Sequence, residues 1–293
     1  MEQGEVKDLL KKVRKLEIKV RRISEQHFIG DYKSAFKGSG LSFAEVRPYQ
    51  YGDEVRNIDW NVTARTGSAY VKMFEEEREA SVLLILDNSA SMFFGSQNSA
   101  KRELATELAA VLAFSAVSSN DKIGLLMFDT NDITFIPPKK GRNQLLHILS
   151  AMMKADQPRM GQTDLGGILT YLMETKTKSN ICFLISDFQS FDFSVQLKPV
   201  ALKYDLVGIW VEDPAEKKFP VKGLVQLSDL ETGYRTFYGN LFSKNKATLE
   251  LEQKKHWEET KDLFHSSGAD FLRFEVGKPY VPALQNYFKR RKK

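Results

Sequence analysis

The stretch Ser81–Met92, SVLLILDNSASM, constrains this chain more than any other. Its apolar run Val82–Leu86 stops at Asp87. A short run rich in Val, Leu and Ile is a strand buried on both faces, most naturally the centre of a parallel sheet. Asp87, Ser89 and Ser91 then occupy alternate positions at its carboxyl end. Open α/β sheets bind their ligands at that end. One carboxylate and two hydroxyls are hard oxygen donors of low net charge. Such a set suits Mg2+, which takes oxygen ligands and keeps several waters.

The chain beyond this stretch alternates strands and helices. Ser99 is placed to cap a helix whose inner face carries Leu104, Leu108, Val111, Leu112 and Ser115, with Arg102 standing where a capping-box acid would sit. Lys122–Phe128 reads as a second apolar strand and Ile133–Ile136 as its hairpin partner, after which Pro137, Pro138 and Gly141 break the chain. Gln144–Met153 is helical. In the loop Met160–Leu165, Gly161 permits an unusual backbone angle, and Thr163 offers a hydroxyl just before the helix Leu165–Glu174. Asn180–Ser186 is another apolar strand ending in a carboxylate, Asp187. Leu206–Val211 is a further strand. Short strands and glycine turns fill Lys217–Asn240, followed by an amphipathic helix Lys244–His265, a strand Asp270–Phe274 and a helix Pro279–Lys289. Strands alternating with helices specify an α/β fold: a doubly wound, mostly parallel sheet flanked by helices.

Ahead of the sheet lies an N-terminal extension. Val6, Leu9, Val13, Leu16, Val20 and Ile23 recur by threes and fours, which predicts a helix up to Ser24. It is either laid on the body of the protein or paired with a partner helix. Phe36–Trp60 is rich in glycine and aromatics, so it reads as loops and short strands. Within it, Arg47, Asp53, Arg56 and Asp59 lie among Tyr49, Tyr51 and Trp60. Mixed charge of this kind is a hydrogen-bonded structural cluster, because unpaired buried charge is costly, or else a docking surface. Tyr70–Phe74 reads as a strand and Glu75–Glu79 as an acidic turn. The expected division is residues 1–78 for this extension and 79–293 for the sheet domain.

Several classes of function find no support. The one cysteine, Cys182, lies inside an apolar run and reads as a small core hydrophobe, which fits a reducing compartment. The N-terminus has no apolar stretch of the signal-peptide kind, and no run approaches the roughly 20 apolar residues of a membrane span. The expectation is a cytoplasmic protein. The net charge of +5 comes largely from the two ends, Lys7–Arg22 and Lys289–Lys293. These lack the interleaved aromatics of single-strand nucleic-acid binders, so no nucleic-acid partner is expected. There is no phosphate-binding G-x-x-x-x-G-K-[ST] loop, no H-E-x-x-H, no paired Cys-x-x-Cys and no G-x-S-x-G elbow. His27, His147, His256 and His265 show no ligand spacing. The chain is therefore read as no enzyme. The alternative is a metal-assisted hydrolase or phosphatase using the Asp87 loop, although Ser89 stands where haloacid-dehalogenase-like phosphatases place a second carboxylate.

Taken together, Asp87/Ser89/Ser91, Thr163 and Asp187 supply two carboxylates and three hydroxyls from three loops at one sheet edge. This set resembles the metal-ion-dependent adhesion site (MIDAS) of von Willebrand factor type A domains, which has an Asp-x-Ser-x-Ser loop, a Thr loop and an Asp loop. The resemblance implies that Ser89, Ser91 and Thr163 contact Mg2+, or Mn2+ or Ca2+ in its place. Asp87 and Asp187 would act directly or through water. Such sites leave one coordination position for a partner's carboxylate. A narrower resemblance covers nearly the whole chain. FAEVRPYQYGDEVRNIDW at Phe43–Trp60, TARTG at Thr63–Gly67 and YVKMFEEERE at Tyr70–Glu79 are similar to the domain of unknown function 58 (DUF58) family. The family block is carried here by Arg47, Tyr49 or Tyr51, Gly52, Asp53, Arg56, Ile58, Asp59 and Trp60. These are bacterial proteins with a type A domain, often found beside MoxR-type AAA+ ATPases. The resemblance implies a protein-binding adaptor or cofactor of such an ATPase, acting on its client proteins. Many relatives carry membrane helices ahead of this block; here a charged helix stands there instead.

Overall fold

The structure is a computed structural model that describes residues 3–36, 38–78, 80–95, 100–130, 132–155, 163–175, 177, 179–190, 192–217, 225–228, 235–238 and 242–291. Its centre is a six-stranded sheet. Numbered along the chain, its strands are β3 (Ser81–Asp87), β4 (Lys122–Phe128), β5 (Ile133–Lys139), β6 (Ile181–Ser186), β7 (Asp205–Glu212) and β10 (Asp270–Glu275). The order across the sheet is β10-β7-β6-β3-β4-β5. All neighbours are parallel except the β4/β5 hairpin. From β3 the chain winds one way through β4 and β5, and from β6 it winds the other way through β7 and β10. The reversal falls between β3 and β6, the topological switch point where open sheets of this kind open a crevice.

Every residue of β3 is buried, and the pleat explains why the run is continuously apolar. Val82, Leu84 and Leu86 face one core, while Leu83 and Ile85 face the other. The first core is covered by α4 (Lys101–Ser118), α5 (Arg142–Lys154) and α10 (Val281–Arg291). The second is covered by α6 (Leu165–Glu174), α7 (Ser194–Lys203) and α9 (Phe242–Ser266). Cys182 is a buried member of this second core. The expected α/β, doubly wound, mostly parallel architecture is therefore observed.

The N-terminal helices join the first core. In α1 (Gln3–His27), Val13 and Val20 are buried, and Leu16 and Ile23 pack partly buried against them, while α1 lies on α4 and α5. Of the two readings of the apolar seam, this is the helix laid on the body. A second helix, α2 (Ile29–Ala35), escaped the sequence reading; it buries Tyr32 edge-on to Phe288 of α10. The extension then forms an antiparallel pair, β1 (Gly38–Pro48) and β2 (Tyr70–Arg78), with α3 (Trp60–Thr66) between them.

Several local expectations need correction. Glu75–Arg78 continue β2 rather than forming a turn, because the pairing with β1 extends to Gly38↔Arg78; Glu79 lies outside the described residues. Pro137 and Pro138 do not end β5. That strand pairs with β4 on one side only, and an edge strand tolerates residues that cannot donate to a ladder. Short strands within Lys217–Asn240 are present as the antiparallel pair β8 (Val225–Ser228) and β9 (Arg235–Tyr238). Ser99 lies outside the described residues, and Ala100 is the N-cap of α4.

Candidate functional site

Parallel pairing in register Leu86↔Ile185 brings the ends of β3 and β6 to one level. Asp87 thus stands beside Ser186 at the switch point, and the Ser186 hydroxyl donates to Asp87 Oδ2 at 2.6 Å. The other oxygen of Asp87 accepts from the Ser89 backbone N–H at 2.8 Å. That bond turns the chain sharply after the strand and aims the next residues over the sheet edge. The hydroxyls of Ser89 and Ser91 lie 3.0 Å apart there. Both serines are buried, as are Asp87 and Asp187. Burial, and next to it the charge of Asp187, push the Asp87 carboxyl up to about 6.

The backbone at Thr163 is held by Ser190. The Ser190 hydroxyl donates to the Thr163 carbonyl at 2.7 Å and accepts from the Leu165 N–H at 3.0 Å. The loop before α6 is thereby bound to the loop after β6. The N-cap of α6 is Asp164, whose side chain accepts from Gly167 N–H at 2.8 Å, so Thr163 is not needed as a cap. The Thr163 hydroxyl is left buried, with no hydrogen-bond partner among the described residues. A buried orphan hydroxyl calls for a ligand, a water or an ion. Gly161 lies outside the described residues.

Asp187 is held at both oxygens. Oδ1 accepts from Gln189 N–H at 3.2 Å, and Oδ2 accepts from the ammonium of Lys101 at 2.6 Å. The same ammonium reaches Glu216 in the short helix α8 (Pro214–Lys217). Burial alone would push the Lys101 pKa down, but the two carboxylates outweigh it and raise the value. Sequence reasoning missed Lys101, Ser186, Ser190 and Glu216. For Ser186 a signal exists, since it is the last residue of an apolar strand beside a known partner. The Lys101–Glu216 pairing has none, as it joins residues 115 positions apart.

Asp187 is followed by Phe188, a non-glycine residue at φ 54°. A bulky residue in the left-handed region is strained. The ring is held among Phe193, Trp210, Phe264 and Phe271, at centroid distances of 5.3 to 6.0 Å. Its backbone N–H donates to the Ser186 hydroxyl at 2.9 Å, and its carbonyl meets His256 Nε2 at 3.1 Å. The aromatic core behind the loop thus maintains the turn that presents Asp187. Beside it opens a cleft of about 480 Å³ lined by Gln189, Trp210, Glu216, His256, Trp257 and Arg273, among others.

The donor set is of an unusual kind for a metal centre. Among the described residues no group of three or more His, Cys, Asp or Glu side chains is arranged to hold a metal. The oxygens at these strand ends are hydroxyl-rich: Ser89 and Ser91 lie together, Asp87 and Asp187 are buried beside each other, and the Thr163 loop is tied to the Asp187 loop. Hard oxygens with few charges fit Mg2+ or Ca2+ rather than a softer ion.

In the extension, Asp53 and Asp59 of the Gly52–Trp60 block are used locally. Arg47 makes a two-pronged ion pair with Asp53 at 2.8 and 2.7 Å. Asp59 caps α3 by accepting from Asn61 and Val62 N–H. The expected cluster is present only in part, as the Arg47–Asp53 pair and the Asp59 cap, while Arg56 and the side chains of Tyr51, Val55 and Trp60 are exposed.

Among the described residues no helix is long and apolar enough to cross a membrane. Comparison with known proteins gives three kinds of match. The chain is 31% identical over 237 residues to "Uncharacterized protein Rv1480" of Mycobacterium tuberculosis and, at the same level, to "Uncharacterized protein Mb1516" of Mycobacterium bovis; the match covers 80% of this chain and 75% of each relative. Among solved structures it is similar to the conserved hypothetical protein BatB from Bacteroides thetaiotaomicron (TM-score 0.45, 14% identity, 72% of this chain and 98% of that one). It is also similar to the SpRpn10 VWA domain (TM-score 0.40, 10% identity, 72% and 95%). The sequence profile described as "Protein of unknown function DUF58" matches residues 45–256, and this chain belongs to the DUF58 family.

Proposed function

We propose that this chain is a metal-dependent protein-binding module of the adhesion-site type. The reading rests on one observation above all: the buried Thr163 hydroxyl has no partner among the described residues, and its loop is tied to the one carrying Asp187. Ser89, Ser91 and Thr163 would hold Mg2+, or Mn2+ or Ca2+, by their hydroxyls, with Asp87 and Asp187 beside them. When bound, the ion supplies a positive acceptor for one carboxylate of a partner protein.

The chain's own residues do the rest. Ser186 and the Ser89 N–H fix the Asp87 carboxylate. Ser190 fixes the Thr163 loop. The cleft beside Gln189 offers aromatic surface for residues flanking the partner's acid. The partner is a MoxR-type AAA+ ATPase or one of its client proteins, met in the cytoplasm, and the chain serves as adaptor rather than enzyme. No membrane span and no nucleic acid enter this reading.

The second reading, a metal-assisted hydrolase, draws on the raised pKa of Asp87, since perturbed carboxyls gather at catalytic sites. Against it, Ser89 stands two residues on, where haloacid-dehalogenase-like phosphatases place a second carboxylate.

The test is a pull-down from the native cell with and without a chelator, repeated with Ser89→Ala and Thr163→Ala. Partner capture that needs both the metal and the two hydroxyls supports the module. Capture indifferent to all three sinks it. Turnover of phosphate esters with Mg2+ or Mn2+, abolished by Asp87→Asn, would establish the hydrolase instead.

A further inference from the structure

Lys101, the first residue of α4, is 1% exposed. Lysine is almost never buried so completely unless it is paired, because removing an ammonium from water is costly. Its partners are far away in the chain: Asp187 is 86 positions on, at 2.6 Å, and Glu216 is 115 positions on, at 2.5 Å. Glu216 is anchored in turn. Its second oxygen accepts from Asp213 N–H at 3.1 Å, and its carbonyl accepts from Gln253 at 2.6 Å. The ammonium is thus clamped between a carboxylate of the candidate metal site and a carboxylate fixed outside it.

From this geometry we infer that Lys101 is a positioning residue that withholds Asp187 from a direct bond to the cation, so that a cation on the Ser89, Ser91 and Thr163 hydroxyls keeps more of its charge for an outside carboxylate. The inference rests on the metal-binding reading and deepens it, by naming which carboxylate is held back and what holds it. The physical basis is competition. An ammonium and a divalent cation seek the same oxygens of Asp187, and they repel one another at short range in a poorly solvated pocket. The arrangement therefore trades affinity for the metal against affinity for the partner's acid. Glu216 sets the balance, because it shares the ammonium with Asp187.

Mn2+ is the probe: it is titrated into the full chain and the free ion is counted by electron paramagnetic resonance. Lys101→Met keeps the length of the stem and removes the charge, so Asp187 becomes available; Mn2+ should bind about tenfold tighter. Glu216→Gln leaves Asp187 as the only charged partner of Lys101 among the described residues; Mn2+ should bind about threefold weaker. A lysine with a merely structural role predicts loosening, hence weaker binding, in both variants. Opposite signs in the two variants, with the tightening lost once Asp187→Asn is added to Lys101→Met, support the inference; tightening that survives Asp187→Asn, or any other pair of results from folded proteins, overturns it. Should Lys101→Met fail to fold by circular dichroism, Glu216→Gln decides alone: weaker binding supports, unchanged or tighter binding overturns. Absence of Mn2+ uptake by both the wild-type chain and Lys101→Met overturns the metal reading itself. Uptake by the wild type that Lys101→Met leaves unchanged or weakens overturns only the role given to Lys101.

Discussion

The Ser186 hydroxyl donates a 2.6 Å hydrogen bond to Asp87 Oδ2 across the junction of β3 and β6. It also accepts from the Phe188 N–H at 2.9 Å. One side chain therefore couples the carboxylate of the first loop to the strained turn of the third. It does so at the point where the winding of the sheet reverses.

Removal of this hydroxyl should be costly. Ser186→Ala leaves a buried carboxylate oxygen and a buried N–H without partners, a loss of about 2–3 kcal/mol. Urea denaturation in the presence of a chelator measures it. A change below about 0.5 kcal/mol would mean that the pairing contributes nothing.

The contribution of Asp87 to the stability of the metal-free chain should fall as pH rises from about 4 to about 6. The Asp87 carboxyl is raised to about 6 in the folded protein, from 3.8. In that window the folded state binds more protons than the unfolded state, so the slope of stability against pH is negative. The stabilising effect of the protonated form is fully present below the unfolded value and is lost as pH passes through the folded one. The shift corresponds to about 3 kcal/mol. Asp87→Asn should flatten this limb in chelator-containing buffer, as followed by urea midpoints across the range. A parallel, undiminished slope in the variant would rule out Asp87 as its source.

Phe188 joins backbone strain to a large buried ring. Phe188→Ala should cost about 3–5 kcal/mol through the cavity left among Phe193, Trp210, Phe264 and Phe271. Phe188→Gly should cost no more than Phe188→Ala, although glycine is elsewhere the worse choice, because φ 54° suits glycine and strains alanine. Comparing the two variants by chemical denaturation separates strain from packing.

Gly208 in β7 leaves no room for a methyl group. A Cβ there would stand 2.5 Å from a ring carbon of Phe264 and 2.6 Å from one of Phe271. Those rings are stacked at 4.5 Å in the second core. Gly208→Ala should therefore destabilise by about 1–3 kcal/mol, read as a lowered thermal midpoint. A neutral result would show that the two rings yield easily.

Much of this architecture is legible along the chain, for definite reasons. The run Val82–Leu86 is apolar at every position because β3 is covered on both faces, and a continuous run ending in Asp is visible without coordinates. The helix Leu165–Glu174 was bounded correctly because its apolar period is clear. Errors arose where a neighbour decided the outcome. Pro137 and Pro138 read as breakers until β5 is seen to be an edge strand. Asp164, not singled out along the chain, caps α6 and leaves the Thr163 hydroxyl for another use.

The sequence by itself determined the class of fold, its central strand and the residue types gathered at the strand ends, because periodicity and composition are local and survive without knowledge of contacts. Only the tertiary structure decided that Lys101 stands on Asp187, that Ser186 holds Asp87 and that Ser190 ties the Thr163 loop in place. Those pairings join residues 27 to 99 positions apart. No local pattern encodes them, since they depend on which strand lies beside which and on how far each side chain reaches once the sheet has formed.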